Sequence, residues 1–148
     1  MGLVDVLRYL LSHSLAGNDA TIEAIRSYFV ENESVSSIAR RLGRSKDWVK
    51  GKITRITERM PFLRARIAVM MALSAIEKLG IEPIYVCGEN TCICRICGHH
   101  VENSDTVKTL HIRSRHRDLL DELVEQALRG FAADGGGSVE ARHEEGTR

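Results

Sequence analysis

VSSIARRLGRSKDWVKGKITRI, residues 35–56, decides the architecture, because its apolar side chains fall into two helical registers separated by one glycine. Ile38 and Leu42 form one inward stripe, and Val49, Ile53 and Ile56 form another. Gly43 permits the tight turn between the two helices, and Ala39 places a small side chain where they cross. Ser45 is positioned to cap the second helix by accepting a backbone N–H, with Asp47 favourable beside the positive helix end. The outward residues of that helix are polar: Lys46, Asp47, Lys50, Gly51 and Thr54, flanked by Lys52, Arg55 and Arg59.

Charge concentrates on the same stretch. Between residues 40 and 66, ten Lys or Arg are offset only by Asp47 and Glu58, whereas the whole chain carries a net charge of +1. Residues 1–80 hold a net +5 and residues 81–148 a net −4, so the cationic excess belongs to the helical half. Polyanions select such a footprint, although a solvated helical face has the same composition. The pattern of 35–56, with the helix before it, resembles the helix-turn-helix of the resolvase, homeodomain-like and sigma-factor region 4 families. That resemblance implies that the second helix of the pair lies in the major groove of double-stranded DNA. It implies base-edge contacts from Ser45, Lys46, Asp47, Lys50, Gly51 and Thr54, and phosphate contacts from Arg41, Arg44, Lys52 and Arg55. Arg44 departs from the pattern, since the families place an apolar residue after the turn glycine. Trp48 reads as a packing anchor rather than a DNA contact. Gly51 weakens its helix by about 1 kcal/mol relative to Ala, a cost that close approach of DNA or of another helix would explain.

Working outward, residues 3–15 carry Leu3, Val6, Leu7, Leu10 and Leu11 at helical spacing, and Gly17-Asn18-Asp19 ends that helix. Ile22, Ile25 and Phe29 mark a second helix. Pro61 opens a long one that runs to Leu79, with Leu63, Ile67, Met70, Met71, Ala75 and Ile76 as its apolar set and Gly80 as its C-cap. Residues 81–86 read as a strand or an extended linker.

The four cysteines lie between 87 and 97. Cys94 and Cys97 form a short knuckle, and His111 and His116 follow about one helical turn apart, a set of two thiolates and two imidazoles suited to tetrahedral zinc. Cys92 is a less well spaced alternative to Cys94. Cys87 and Cys92 are otherwise left as buried thiols, a second weak metal pair, or a disulfide if the source is a hyperthermophile. Residues 93–117 resemble a two-Cys, two-His zinc finger, which implies a hairpin turned at Gly98 and a helix carrying both His. Ser104, Val107 and Leu110 fall at the finger's base-reading positions and are poor base readers, so the finger reads as structural or protein-contacting. His99 and His100 read as loop residues.

The expected fold is mainly α: a helical helix-turn-helix domain over 1–80, a small ββα zinc-finger module with its following helix over 81–130, and a disordered tail over 131–148. The expected function is sequence-specific DNA binding in transcription regulation, by a homodimer associated through the Met70-Met71-Ile76 helix or the Leu119-Leu120-Leu123 helix. The alternatives are a DNA-binding component of a recombination or transposition system and an adaptor that contacts the transcription machinery. No catalytic carboxylate cluster and no nucleophilic Ser or Tyr constellation accompanies these motifs, so the chain is not expected to be an enzyme. No apolar run approaches the length of a membrane span, and neither a secretory signal nor a myristoylation motif opens the chain, so a cytoplasmic protein is expected. A mixed set of small modules like this one resembles the regulators of archaeal viruses and plasmids.

Overall fold

The computed structural model describes residues 2–144. Five helices come first: α1 (Leu3–Ala16), α2 (Asp19–Phe29), α3 (Val35–Leu42), α4 (Lys46–Thr57) and α5 (Phe62–Leu79). Three short strands follow, β1 (Tyr85–Cys87), β2 (Thr91–Cys94) and β3 (His100–Glu102), and then α6 (Asp105–Arg115) and α7 (Arg117–Glu144). The architecture is mainly helical, with one small antiparallel sheet.

α1 is the central helix. Val6, Leu7, Leu10 and Leu11 are wholly buried, and α2, α5, α6 and α7 all pack against it. At about 2 kcal/mol for each large apolar side chain removed from water, this burial is a main reason the other helices gather on α1. Gly17 ends the helix in the left-handed conformation, φ 77°, and a Cβ there would come within 3.3 Å of Pro83. That close approach lets the Ile84 N–H donate to the Leu15 carbonyl at 2.8 Å, which fastens the start of the sheet to the end of α1.

α2, α3 and α4 pack on one another around Ile25, Phe29, Ile38, Val49 and Ile56, all wholly buried. Ser34 caps α3 by accepting from the Ser37 N–H at 3.2 Å, and Ser45 caps α4 by accepting from the Trp48 N–H at 3.0 Å. Gly43 stands between them at φ 68°, where a residue with a Cβ is strained, and the Arg44 N–H closes the end of α3 on the Ala39 carbonyl at 2.9 Å.

α5 buries Ala75 and half-buries Met71 and Ile76 of its expected set, but the rest of its buried face differs from expectation. Ala65, Ala68, Val69, Ala72 and Leu73 turn inward, while Leu63, Ile67 and Met70 are 70%, 59% and 47% exposed. Small side chains let α5 lie close to α1, so alanine rather than the bulkier apolar set marks the contact. α7 buries Leu120, Val124 and Ala127 against α1 and α5, and Arg8 pairs with Asp121 at 2.8 Å beside that seam. The helix continues to Glu144, into the segment expected to lack structure, and residues 145–148 lie outside the described residues.

The sheet has the order β1-β2-β3, one strand more than a ββα unit. The extra strand pairs Tyr85 with Cys94 and Cys87 with Cys92, and the last pair is joined by a disulfide, one of the three alternatives open from sequence.

Candidate functional site

The knuckle is built by backbone hydrogen bonds before any side chain is considered. β2 ends at Cys94, Gly98 turns the chain at φ 77°, the Gly98 N–H donates to the Cys94 carbonyl at 2.8 Å, and the Cys94 N–H donates to the His99 carbonyl at 2.9 Å. Cys97 is thereby carried on a tight loop beside Cys94. On the other side, Ser104 caps α6 by accepting from the Val107 N–H at 3.1 Å. α6 buries Lys108, Thr109 and Ile112, and with that face inward it brings His111 to the knuckle. His116 is the residue that ends α6 rather than a member of it, so one imidazole comes from the helix and the other from its C-terminal cap.

The four side chains converge. Cys94 Sγ lies 3.4 Å from His116 Nε2, Cys97 Sγ lies 3.4 Å from His111 Nε2, and all four ligand atoms lie within 4.8 Å of one another. A tetrahedron with metal–sulfur bonds of about 2.3 Å and metal–nitrogen bonds of about 2.0 Å has edges of roughly 3.3–3.8 Å, so the group fits one ion with small adjustment. Burial lowers the pKa of both imidazoles. His116 and His99 add to the effect at His111, and Arg115 and His99 add to it at His116, which favours the neutral ring that binds a metal. Tyr85, buried beside the cysteines, donates its hydroxyl to the Lys108 carbonyl at 2.7 Å and ties β1 to α6. Two Cys and two His thus form a site that can hold a metal ion. Of the loop residues next to it, His99 meets Arg115 Nη2 at 3.3 Å, and His100 belongs to β3.

The residues expected to touch DNA fall into three groups. Ser45, Lys46, Asp47, Lys50, Gly51 and Thr54 are exposed on and just before α4, with Ser45 also serving as its cap. Arg41 is already neutralised: it pairs with Glu33 at 2.7 Å and Glu23 at 3.4 Å and donates to Ser27 Oγ at 2.7 Å. Those contacts hold the Glu33 carboxyl down at about 2. Arg44 and Lys52 lie over the Trp48 ring at 4.5 and 5.2 Å, and Arg55 lies over Tyr9 at 5.5 Å. Trp48 is half-buried and packs against the core, with Arg44 and Lys52 over its ring.

Sequence reasoning did not anticipate a cleft of about 490 Å³ between α1, α4 and α6, which Trp48, Gly51 and Lys52 line from the α4 side. The spacing of Arg8, Tyr9 and Ser12 on α1, and of Thr106, Thr109 and Arg113 on α6, marks a polar stripe on each helix, which was the available signal. Among the described residues no helix is long and apolar enough to cross a membrane. Comparison with protein families, with curated proteins and with solved structures finds no match for this chain.

Proposed function

We propose that the protein is a sequence-specific DNA-binding regulator of transcription that uses α3 and α4 as a helix-turn-helix and a zinc ion to hold its C-terminal module. The observation that carries this reading is the outward face of α4, where Lys46, Lys50 and Thr54 are exposed and neither lysine is in an ion pair among the described residues. A basic, unpaired helix face behind a tight αL turn suits the major groove, with Lys50 as a base reader and Arg44 close to a phosphate, while Lys52 and Arg55 turn toward Trp48 and Tyr9. Arg41 contributes to the fold of the unit rather than to the phosphates. Zinc is the metal best matched to two thiolates and two imidazoles. The protein works inside the cell in this reading, where a disulfide such as Cys87–Cys92 persists most readily in a hyperthermophile.

One helix-turn-helix makes too few base contacts for high specificity, so the functional unit is a homodimer on a two-fold site. Leu63, Ile67 and Met70 follow one another at i, i+4 and i+7 on the exposed side of α5 and supply the surface for a second copy. Leu120 and Val124 of α7 are committed to their own chain.

Selection of bound duplexes from a random pool, followed by affinity measurement over a range of salt, tests the reading. The expected result is an enriched two-fold site whose affinity falls steeply with salt. Failure to enrich any sequence, or a salt-independent affinity, overturns it. In that case a protein-contacting adaptor takes its place.

A further inference from the structure

The cleft between α1, α4 and α6 has a polar floor and cationic walls. His13 and Thr109, 6% and 5% exposed, line it. Asn18 Nδ2 lies 2.9 Å from His13 Nδ1, which fixes the ring at the end of α1. Burial, reinforced by Lys52, Arg113, Arg55 and Lys108, holds His13 neutral with a pKa of about 3. Lys52, Arg55 and Arg113 stand around this floor, and among the described residues none of the three is in an ion pair. Three cations outside any ion pair, beside a buried neutral imidazole, outnumber Asp5 and Asp47 in the same lining and make a place for an anion.

Gly51 adds an independent argument. A glycine in the middle of α4 weakens the helix, yet a Cβ built there meets nothing within 4 Å, so packing does not require its absence. Gly51 lines the cleft, and its missing side chain widens it. The volume of about 490 Å³ lies in the range of small-molecule sites and exceeds what an inorganic anion fills. Asp5 and Asp47 also line the cleft. Their carboxylates can accept hydrogen bonds from the hydroxyl or amino groups of a single molecule.

We propose that this cleft binds a small phosphorylated metabolite of mononucleotide size, its phosphate held by Lys52, Arg55 and Arg113 and its body lying toward Tyr9 and His13. The ligand bridges α4 to the helix that carries His111, so its presence links the proposed recognition helix to the metal module.

Trp48 is the single tryptophan of the chain and lines the cleft, so its fluorescence reports occupancy without a label. The full-length protein is titrated with AMP, GMP, CMP and UMP and with inorganic phosphate, and calorimetry runs in parallel for binding that leaves the emission unchanged. At least one mononucleotide is expected to saturate below about 1 mM, with inorganic phosphate at least about tenfold weaker. Thr106→Phe, on the exposed first turn of α6, narrows the cleft without touching α4, and Arg113→Gln removes a cation. Each is expected to weaken the mononucleotide by about tenfold or more. The proposal is overturned if none of the four saturates by either method, if inorganic phosphate binds as tightly, or if both variants bind like the parent. Binding is measured without DNA. A chain that takes a mononucleotide but selects no duplex loses the transcriptional reading alone, and the converse result removes this site alone.

Discussion

The helices α1–α5 and the segment from β1 to His116 are held together by different means. The first region buries large apolar side chains in quantity, Leu7, Leu10, Leu11, Ile25, Phe29, Ile38 and Val69 among them. The second buries few, chiefly Tyr85, Cys92, Cys94 and Ile112, and leaves Val86, Ile93, Ile96 and Leu110 at its surface. In place of a core it has one disulfide and four converging ligand atoms. Where it does bury apolar surface, Ile112 of α6 joins the same continuous cluster as α1. A segment this short cannot exclude enough water to fix itself, so cross-links and a neighbouring helix do so instead.

The largest effect should come from the metal. Purified protein is expected to carry one zinc per chain by elemental analysis, and the Cys97→Ser, His111→Ala double variant to carry none. Structural zinc supplies on the order of 10 kcal/mol to such modules, so metal removal should abolish hydrogen-exchange protection in β1–β3 and α6 while α2–α4 stay protected. Equal protection with and without metal would erase the contrast between the two regions.

Phe29→Ala should act in the opposite place. Phe29 is wholly buried and stacks on Phe62 at 5.6 Å, so truncation is expected to cost about 3–5 kcal/mol in denaturant unfolding. Zinc content should stay at the parent value. A loss of zinc in this variant would mean that the core of α2–α5 and the metal module form one cooperative unit.

His13 sharpens the comparison through pH. Its folded pKa of about 3 lies below the unfolded value of 6.5, so between those values the unfolded chain binds a proton that the folded chain refuses. Stability contributed by the neutral ring is complete above pH 6.5 and declines as pH falls toward 3, by at most about 1.4 kcal/mol per pH unit. Denaturant unfolding at pH 6.5 and 5.0 should show this loss, and His13→Gln should remove about 1.6 kcal/mol of it. His111 and His116 impose their own pH dependence through metal binding, so the difference between parent and variant is the quantity to read. An unchanged slope would mean that His13 is protonated without unfolding.

The smallest effect is a gain. Gly51→Ala meets no steric obstacle and should raise stability by about 1 kcal/mol, read from the denaturation midpoint at an unchanged slope. No gain would show that the Gly51 backbone is held by something other than helix propensity.

Much of the helical half is legible in the sequence because its signals are local. The αL glycines at 17, 43 and 80, the Ser45 cap and the inward stripes of α1 and α4 each depend on residues within a few positions of one another. The metal ligands are legible for the same reason, since the Cys94–Cys97 knuckle and the His111–His116 interval are spacings along one chain. The buried face of α5 is not, because Ala65, Ala68 and Ala72 are chosen by how close α1 lies, which composition does not reveal. Nor is the Cys87–Cys92 bond, which needs the extra strand β1 to bring the two residues into register. The cleft was hidden because its three walls are far apart in sequence, and a polar stripe on one helix reads as solvent-facing until the others are placed opposite it.

The joint between α6 and α7 is a single residue, and that residue is His116. Its N–H donates to Ile112 at 3.0 Å and its carbonyl accepts from Leu120 at 3.1 Å, so the ladders of both helices meet at one imidazole-bearing elbow. From that elbow α7 runs as a long arm along α1 and α5. An ion held by that imidazole would sit at the joint of the two helices. Asp121, which pairs with Arg8 at 2.8 Å, lies in the second turn of that arm, so the seam between α7 and α1 begins immediately beside a candidate metal ligand.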